Sequence, residues 1–411
     1  LSFPLPLPEP LRRALPPGTG VLLGLSGGVD SAVALAMLRA LGCRVECVTF
    51  RNFCYAGDED AVTEQSCCSL EAIDQARRLA SLHGAPHWVG DLVEPFRERV
   101  ISPFIEEYAA GRTPNPCLAC NSGVRFPELV RLARRQGCEF AATGHYARID
   151  RDLPSPGLRR GLDPNKDQSY FLHRLEASLL PQLVFPLGWY DKGQVREAAR
   201  ALGLPVAERR DSQEICFVPD DDRSFLFAAP DQAGAVAAAT LPGPIVDRQG
   251  RVLGRHRGLA HYTVGQRKGL GVAAPEPLYV LALEAEGNRL VVGVRDELLA
   301  TRLVGDRFTA QAPGFPDSWP AGATGDWADM QPLAQLRHRH PGTPVASWRR
   351  DGDRLEVTLA KPVSGVAPGQ GLALYDGDRV LAGARLREPG WGGNTEASGD
   401  DVPRVRDEKD A

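Results

Sequence analysis

Residues 21–25 form a short apolar run that enters Gly24-Leu25-Ser26-Gly27-Gly28-Val29-Asp30-Ser31 and leaves it as a helical pattern over 30–41, closed by Gly42. No other segment constrains the fold as tightly. A buried strand that turns at glycines into a helix commits the chain to α/β layers. The two adjacent glycines let backbone N–H groups close on an oxyanion, and the helix start favours negative charge there. Ser26 and Ser31 add hydroxyl donors, and Asp30 is placed to help hold Mg²⁺. The lysine of the Walker loop is missing, so the turn belongs to another phosphate-binding class.

The alternation continues. Residues 43–50, 86–92 and 139–147 read as further strands, and 69–83, 127–136 and 192–202 as helices. Ser69 opens the first of these helices and Gly84 closes it. Asp191, with Gln194 three residues on, makes a capping box for the last. This order predicts a parallel sheet covered by helices on both faces. Beyond residue 217 the period becomes two. Residues 278–292 read as two strands about Glu286-Gly287-Asn288, and 354–359 and 372–386 continue the pattern with turns at Asp351-Gly352 and Asp376-Gly377. The expected organisation is an α/β domain over 1–216, a small central domain over 217–300, a β-barrel over 301–388 and a disordered tail over 389–411.

Net charge is −4, but the tail carries six acids against three bases, so 1–388 sits near neutrality and arginine patches remain available for phosphate. The bases are 43 Arg and five Lys, which makes Lys166 and Lys268, both in motif-like stretches, stand out. No apolar run reaches the roughly 18 residues a bilayer needs. Residues 1–17 are proline-rich without a signal-peptide core, which argues for the cytoplasm. All nine cysteines fall in the first 216 residues, an odd count that fits catalytic, redox or metal-binding thiols better than a secreted disulfide scaffold. Cys43, Cys47 and Cys138 read as core residues at strand ends, and the adjacent Cys67 and Cys68 as incidental.

The glycine turn resembles the PP-loop of the N-type ATP pyrophosphatases (adenine nucleotide alpha hydrolase-like), which cleave ATP between its α- and β-phosphates and pass AMP to a carbonyl or amide oxygen. Five further stretches narrow the resemblance: Gly111-Arg112-Thr113-Pro114-Asn115-Pro116-Cys117-Leu118-Ala119-Cys120-Asn121, Ala142-Thr143-Gly144-His145-Tyr146-Ala147-Arg148, Asp163-Pro164-Asn165-Lys166-Asp167-Gln168-Ser169-Tyr170, Asp211-Ser212-Gln213-Glu214-Ile215-Cys216-Phe217, and the run from Gly258-Leu259-Ala260-His261-Tyr262 to Gly269-Leu270-Gly271. Together they are similar to the bacterial tRNA-specific 2-thiouridylases, over roughly residues 21–386.

That resemblance implies ATP with Mg²⁺, a tRNA whose wobble uridine is thiolated at C2, and a persulfide-donating sulfur relay protein as partner. Cys216 takes the sulfur as a persulfide, and Cys120 releases it and leaves a Cys120–Cys216 disulfide. Adenosine lies against Phe50 and Gly144. Asn115, Pro116, Cys117, Lys166, Asp167 and Gln168 meet the target base or its neighbours, and Arg337 and His338 meet the anticodon loop. Arg209, Arg210, Arg255, Arg257, Arg267 and Lys268 read as phosphate contacts, and His145 equally as a phosphate donor or a structural ring.

Cys117 stands where some family members carry an acid, so no acid–base role carries over. It instead makes a C-x-x-C pair with Cys120, and Cys216 completes a three-cysteine set suited to a [4Fe–4S] cluster with one open iron. The sequence leaves both sulfur routes open. It also leaves a PP-loop synthetase using ammonia, which would not need Cys120 and Cys216, and a non-catalytic RNA-binding or iron–sulfur sensing protein, which would release no pyrophosphate.

Overall fold

The structure, a computed structural model, describes residues 3–53, 70–153, 155–209, 215–218 and 239–391. Its first layer is a parallel sheet of β1 (Gly20–Gly24), β2 (Arg44–Arg51), β3 (His87–Asp91) and β4 (Phe140–Thr143). The chain then makes a hairpin, β5 (Ala147–Asp150) and β6 (Gly157–Arg160), before β7 (Leu183–Val184) completes the sheet in the order β3-β2-β1-β4-β7. Alternation along β1 explains why it lies in the middle. Leu22 packs with Phe50, Phe96 and Phe126 on one face. Val21 and Leu23 pack on the other with Leu35 and Leu38 of the helix Val29–Ala40. A strand with apolar side chains on both faces is stable only between two helical layers.

Two more bodies follow. Strands β8 (Gly243–Val246), β9 (Val252–His256), β10 (Tyr279–Glu284) and β11 (Arg289–Gly293) form a small sheet in the order β10-β11-β8-β9. The third body contains β12 (Ala300–Ala310), β13 (Ser318–Trp319), β14 (Leu333–Gln335), β15 (Thr343–Asp351), β16 (Arg354–Val363), β17 (Gly371–Asp376) and β18 (Arg379–Trp391). The path β12-β16-β15-β14-β17-β18 closes on itself because β18 also pairs with β12, and closure removes the open edges. This is the expected barrel. Its apolar centre holds Leu303, Trp348, Val357, Leu374 and Leu386.

Several local expectations are met in atomic detail. Asp191 accepts from the Gln194 N–H at 2.8 Å, and Gln194 accepts in return from the Asp191 N–H at 3.0 Å, at the start of the helix Lys192–Ala201. Others need correction. The single strand read over 139–147 is two, β4 and β5, broken at Gly144 because the backbone there turns aside to meet the glycine turn. The tail read over 389–411 does not hold for 389–391, since β18 runs to Trp391 and pairs Pro389 with Leu303 and Trp391 with Ala300; residues 392–411 lie outside the described residues. Ser69, Cys67 and Cys68, Arg210 and residues 211–214 lie outside the described residues. Among the described residues no helix is long and apolar enough to cross a membrane.

The barrel is locked onto the α/β layer. The β5–β6 hairpin belongs to the first body by sequence, yet β6 pairs with β18 at Arg159 and Arg379. His173 is wholly buried at the junction, filling the places where Cβ atoms at Gly371 and Gly383 would stand. Burial pushes its pKa down to about 3, so it is a neutral wedge. Tyr170 donates to the Leu336 and Gly371 carbonyls at 3.2 Å, and Arg385 binds Glu107 at 2.7 Å and Asp306 at 2.6 Å.

Glu107 and Asp306 are both held below the ordinary carboxylate range. Burial pushes each upward, and the hydrogen bonds and charges of Arg112 and Arg385 outweigh it for Glu107, as Arg385 and Arg387 do for Asp306. A depressed folded pKa gives stability that is complete above the unfolded value and is lost as pH falls through the folded one. We therefore expect barrel attachment to weaken below about pH 4. Removing one charge of this nearly buried cluster by Glu107→Gln should cost about 3 kcal/mol at pH 7 and flatten the acid limb. Chemical denaturation across pH 7 to 3 checks both.

Candidate active site

The glycine turn sits at the carboxyl end of β1, where ligands bind in open parallel sheets. Gly27 adopts a positive φ of 73°, and a Cβ there would stand 2.7 Å from the Ala72 carbonyl. Gly28 is the N-cap of Val29–Ala40 and offers no side-chain cap to the first-turn amides, which leaves them to an anion. Within the turn, the Ser31 hydroxyl accepts from the Ser26 N–H at 3.2 Å and donates to the Gly28 carbonyl at 3.1 Å. The two serine hydroxyls lie 3.2 Å apart. Arg209 donates to the Gly27 carbonyl at 3.2 Å, which places one of the arginines expected near phosphate beside the turn.

Register then brings the second wall. Gly24 of β1 pairs with Thr143 of β4, so Gly144 arrives beside the helix start. A Cβ on Gly144 would lie 2.9 Å from both the Asp30 carbonyl carbon and the Ser31 nitrogen, so only glycine permits this approach. Phe50, at the end of β2, is buried against Gly90 and belongs to the core shared with Leu22 and Phe126. The backbone cradle between Ser26 and Gly144 suits a nucleotide phosphate.

Lys192 is a functional candidate that the sequence reading passed over. Its ammonium group binds Asp30 at 2.6 Å, and the Tyr146 hydroxyl donates to the same carboxylate oxygen at 2.8 Å. The lysine side chain is 11% exposed and Asp30 33%, so the pair lines the edge of the turn. The signal was present: it is one of only five lysines, placed immediately after a helix N-cap. His145 faces inward, with its Nδ1 2.8 Å from the Thr143 hydroxyl and its ring against Phe126 and Phe185. Burial, helped by Arg125, pushes its pKa down to about 3, which favours the structural reading over a charged phosphate ligand.

The cysteines occupy three environments. Cys120, at the end of the short helix Pro116–Cys120, is buried in the cluster that also holds Phe50, Phe96, Phe104 and Phe217. Cys216 packs on the same cluster from the other side of the chain. Phe217 fixes that segment edge-on against Phe96 and Phe104, with ring centres 5.6 and 5.3 Å apart. Cys117 is exposed. Among the described residues no three His, Cys, Asp or Glu side chains are grouped so as to hold a metal ion. Cys117, Cys120 and Cys216 are therefore not gathered into the ligand set that an iron–sulfur cluster requires. By contrast, burial lifts Cys43 to about 11 and Cys47 to about 12, which makes them inert core thiols.

The residues expected to meet RNA divide in two. Asn115 uses its amide oxygen to cap the Cys117 N–H at 3.2 Å, and Pro116 is buried. Asp167 is an internal hub that accepts from Gly161, Arg160 and both the N–H and hydroxyl of Ser169 at 2.9–3.0 Å. Gln168 accepts from the Tyr146 N–H at 2.9 Å. Lys166 is half-buried beside them, and the His338 ring lies against Phe171 with ring centres 4.6 Å apart and planes inclined at 45°. Burial lowers the His338 pKa against the opposing effect of the hydrogen bond its ring donates to the Asp167 backbone carbonyl, so segments 166–168 and 337–338 meet at one place. Arg337 is exposed there, as are Arg255, Arg257, Arg267 and Lys268 on the central body.

The glycine approach gives a direct test. Gly144→Ala should displace the helix start, lower stability by about 1–3 kcal/mol, and abolish binding of a non-hydrolysable ATP analogue in isothermal titration. Wild-type affinity in a folded variant would show that the cradle is not the nucleotide site.

The sequence matches three family descriptions in succession: the tRNA methyl transferase HUP domain over residues 19–220, the tRNA methyl transferase PRC-barrel domain over 235–294 and the aminomethyltransferase beta-barrel domain over 310–386. It is 42% identical over 366 residues to the tRNA-specific 2-thiouridylase of Geobacter metallireducens, covering 88% of this chain and 95% of the relative. It is 40% identical over 384 residues to the one from Roseiflexus castenholzii, covering 89% and 98%. A solved 4-thiouridine synthetase–RNA complex with bound ATP is a distant likeness, at 20% identity and a TM-score of 0.31 over 48% of this chain and 45% of that one. With nearly nine-tenths of its length aligned at this level of identity, the chain belongs to the family of tRNA-specific 2-thiouridylases, within the PP-loop superfamily.

Proposed function

We propose that the chain thiolates the C2 position of the wobble uridine of tRNA in three steps, and that the roles fall on the residues named above. The uridine C2 oxygen attacks the ATP α-phosphorus and pyrophosphate leaves, which turns a poor leaving oxygen into a good one. The terminal sulfur of a Cys216 persulfide attacks C2 and AMP leaves. The Cys120 thiolate then attacks the Cys216 sulfur, which frees the thiocarbonyl base and leaves a Cys120–Cys216 disulfide for reduction.

The observation that carries this reading is the shared core. Phe50, which lies at the end of the strand beside the glycine turn, Cys120 and Cys216 all pack on one apolar cluster. Adenylation and sulfur transfer must act on the same base, and one cluster bordering both the turn and the thiols suits that demand. The turn's amides, Ser26 and Ser31 would hold the phosphates, and Arg209 and Lys192 would supply positive charge. Mg²⁺ would be held at Asp30, whose hard oxygen suits it, and would neutralise charge on the pyrophosphate. The base must leave its stack to reach this site, with Lys166, Gln168, Arg337 and His338 as contacts around it. A persulfide-donating relay protein fits as the sulfur source. Because the three thiols do not form a ligand set, no step is routed through an iron–sulfur cluster.

Cys216→Ser and Cys120→Ser should each reduce 2-thiouridine formation by at least about 10³-fold, while pyrophosphate release that depends on tRNA and ATP continues. Nucleoside mass analysis of transcribed tRNA, beside a pyrophosphate assay, separates the two steps. Undiminished thiolation in either variant would defeat the role given to that cysteine, and pyrophosphate release by the wild type with no 2-thiouridine formed would favour an ammonia-type synthetase.

A further inference from the structure

The segment that carries Cys117 and Cys120 is held from outside its own domain. Gly111 has a φ of 73° and lies so close to the central body that a Cβ would overlap the Leu283 carbonyl of β10. Two residues on, the Thr113 N–H donates to the Pro368 carbonyl at 2.7 Å, and the Gln370 side-chain amide donates to the Thr113 carbonyl at 2.7 Å. These two bonds, one from backbone and one from a side chain, run in opposite directions between the strap and the barrel loop before β17. Gly369, with φ 93°, presses against them, and a Cβ there would stand 2.9 Å from the Thr113 carbonyl and 3.0 Å from the Pro114 nitrogen.

Two further contacts extend the grip. Arg112 binds Glu107, which in turn binds Arg385 of β18. Leu118, between the two cysteines, lies 2.8 Å from where a Cβ of Gly371 would be. These contacts of Gly111, Thr113 and Leu118 thus end on the two bodies that present the exposed basic residues. Cys120 is the fifth residue of a continuous helical run from Pro116 to Arg135, and the strap that leads into that run, with Leu118 of its first turn against the barrel, sets how the end carrying Cys120 is held.

We propose that the strap 111–114 is a positioning element for Cys120, set by Gln370 and Gly369, through which RNA held by the barrel and central body governs the placement of that thiol. The proposal rests on the role given to Cys120 above. Gln370 touches neither base nor nucleotide and acts only through Thr113. Loss of its amide bond shifts the strap by a fraction of an ångström or more, and thiol transfer is steeply sensitive to such misplacement.

The test compares wild type, Gln370→Ala, Gln370→Glu and Cys120→Ser as full-length proteins. Gln370→Glu keeps the shape but sets a carboxylate against the Thr113 carbonyl, so it carries the comparison should the alanine variant fail to fold. Three quantities are read: kcat for 2-thiouridine formation, KM for tRNA, and the alkylation rate of Cys120 by iodoacetamide with and without tRNA. We expect wild-type Cys120 alkylation to respond to tRNA. The Gln370 variants should lose that response and fall about tenfold or more in kcat, with KM for tRNA changed by less than about twofold. Unchanged kcat, a defect confined to KM, or an intact response to tRNA in these variants would overturn the proposal. Retained thiolation in Cys120→Ser would instead remove the underlying reading of the thiol, whatever the Gln370 variants do.

Discussion

The parallel pairing of β1 with β4 is the constraint from which the rest of the site follows. It sets Gly24 opposite Thr143, and so delivers Gly144 to within van der Waals overlap of any side chain heavier than hydrogen at the start of Val29–Ala40. A single glycine there does what no rearrangement of side chains can, because the crowding is backbone on backbone. The same approach orients Tyr146, two residues later, to bind Asp30 together with Lys192. The glycine cradle and the Asp30 carboxylate with its Lys192 and Tyr146 partners are thus consequences of one register.

A second set of contacts makes the barrel part of the catalytic unit rather than an appendage. His173 fills space vacated by Gly371 and Gly383, and Gln311 donates to the His173 carbonyl at 3.1 Å. Arg160 binds Asp167 and Gln335 while its guanidinium lies 3.6 Å over the Tyr375 ring. The buried Gln311 amide and the stacked arginine tolerate little sliding, since each would leave a buried polar group unpaired if the bodies moved apart. The residues next to them, 166–168 and 337–338, consequently hold a fixed relation to the glycine turn.

How far the sequence carried this depends on whether the information was local. The glycine turn, the Asp191–Gln194 capping box and the Glu286-Gly287-Asn288 turn are written in adjacent residues, and their geometry follows from φ and from hydrogen-bonding groups within a few positions. Closure of the barrel by β12 and β18, and the attachment of β6 to β18, join residues more than seventy positions apart and leave no periodic trace. Asp167 shows the same limit at one residue. Its motif does not reveal that Arg160 and Gly161 donate to its carboxylate, because only the fold of that segment brings them near. Lys192 was legible in principle, as a rare lysine beside a cap, yet its partner Asp30 lies 162 residues away.

Burial decides which of the described thiols can do chemistry. Cys43 and Cys47 are enclosed by the sheet and helix Val29–Ala40, and their raised pKa values keep them protonated at neutral pH, where a thiol is a poor nucleophile. Cys120 is nearly as buried, yet it sits near the start of the helical run Pro116–Arg135 rather than within a strand, and the strap leading into that run is bonded at Thr113 to another body. Its surroundings therefore depend on how the strap is held, whereas those of Cys47 are fixed by the sheet itself.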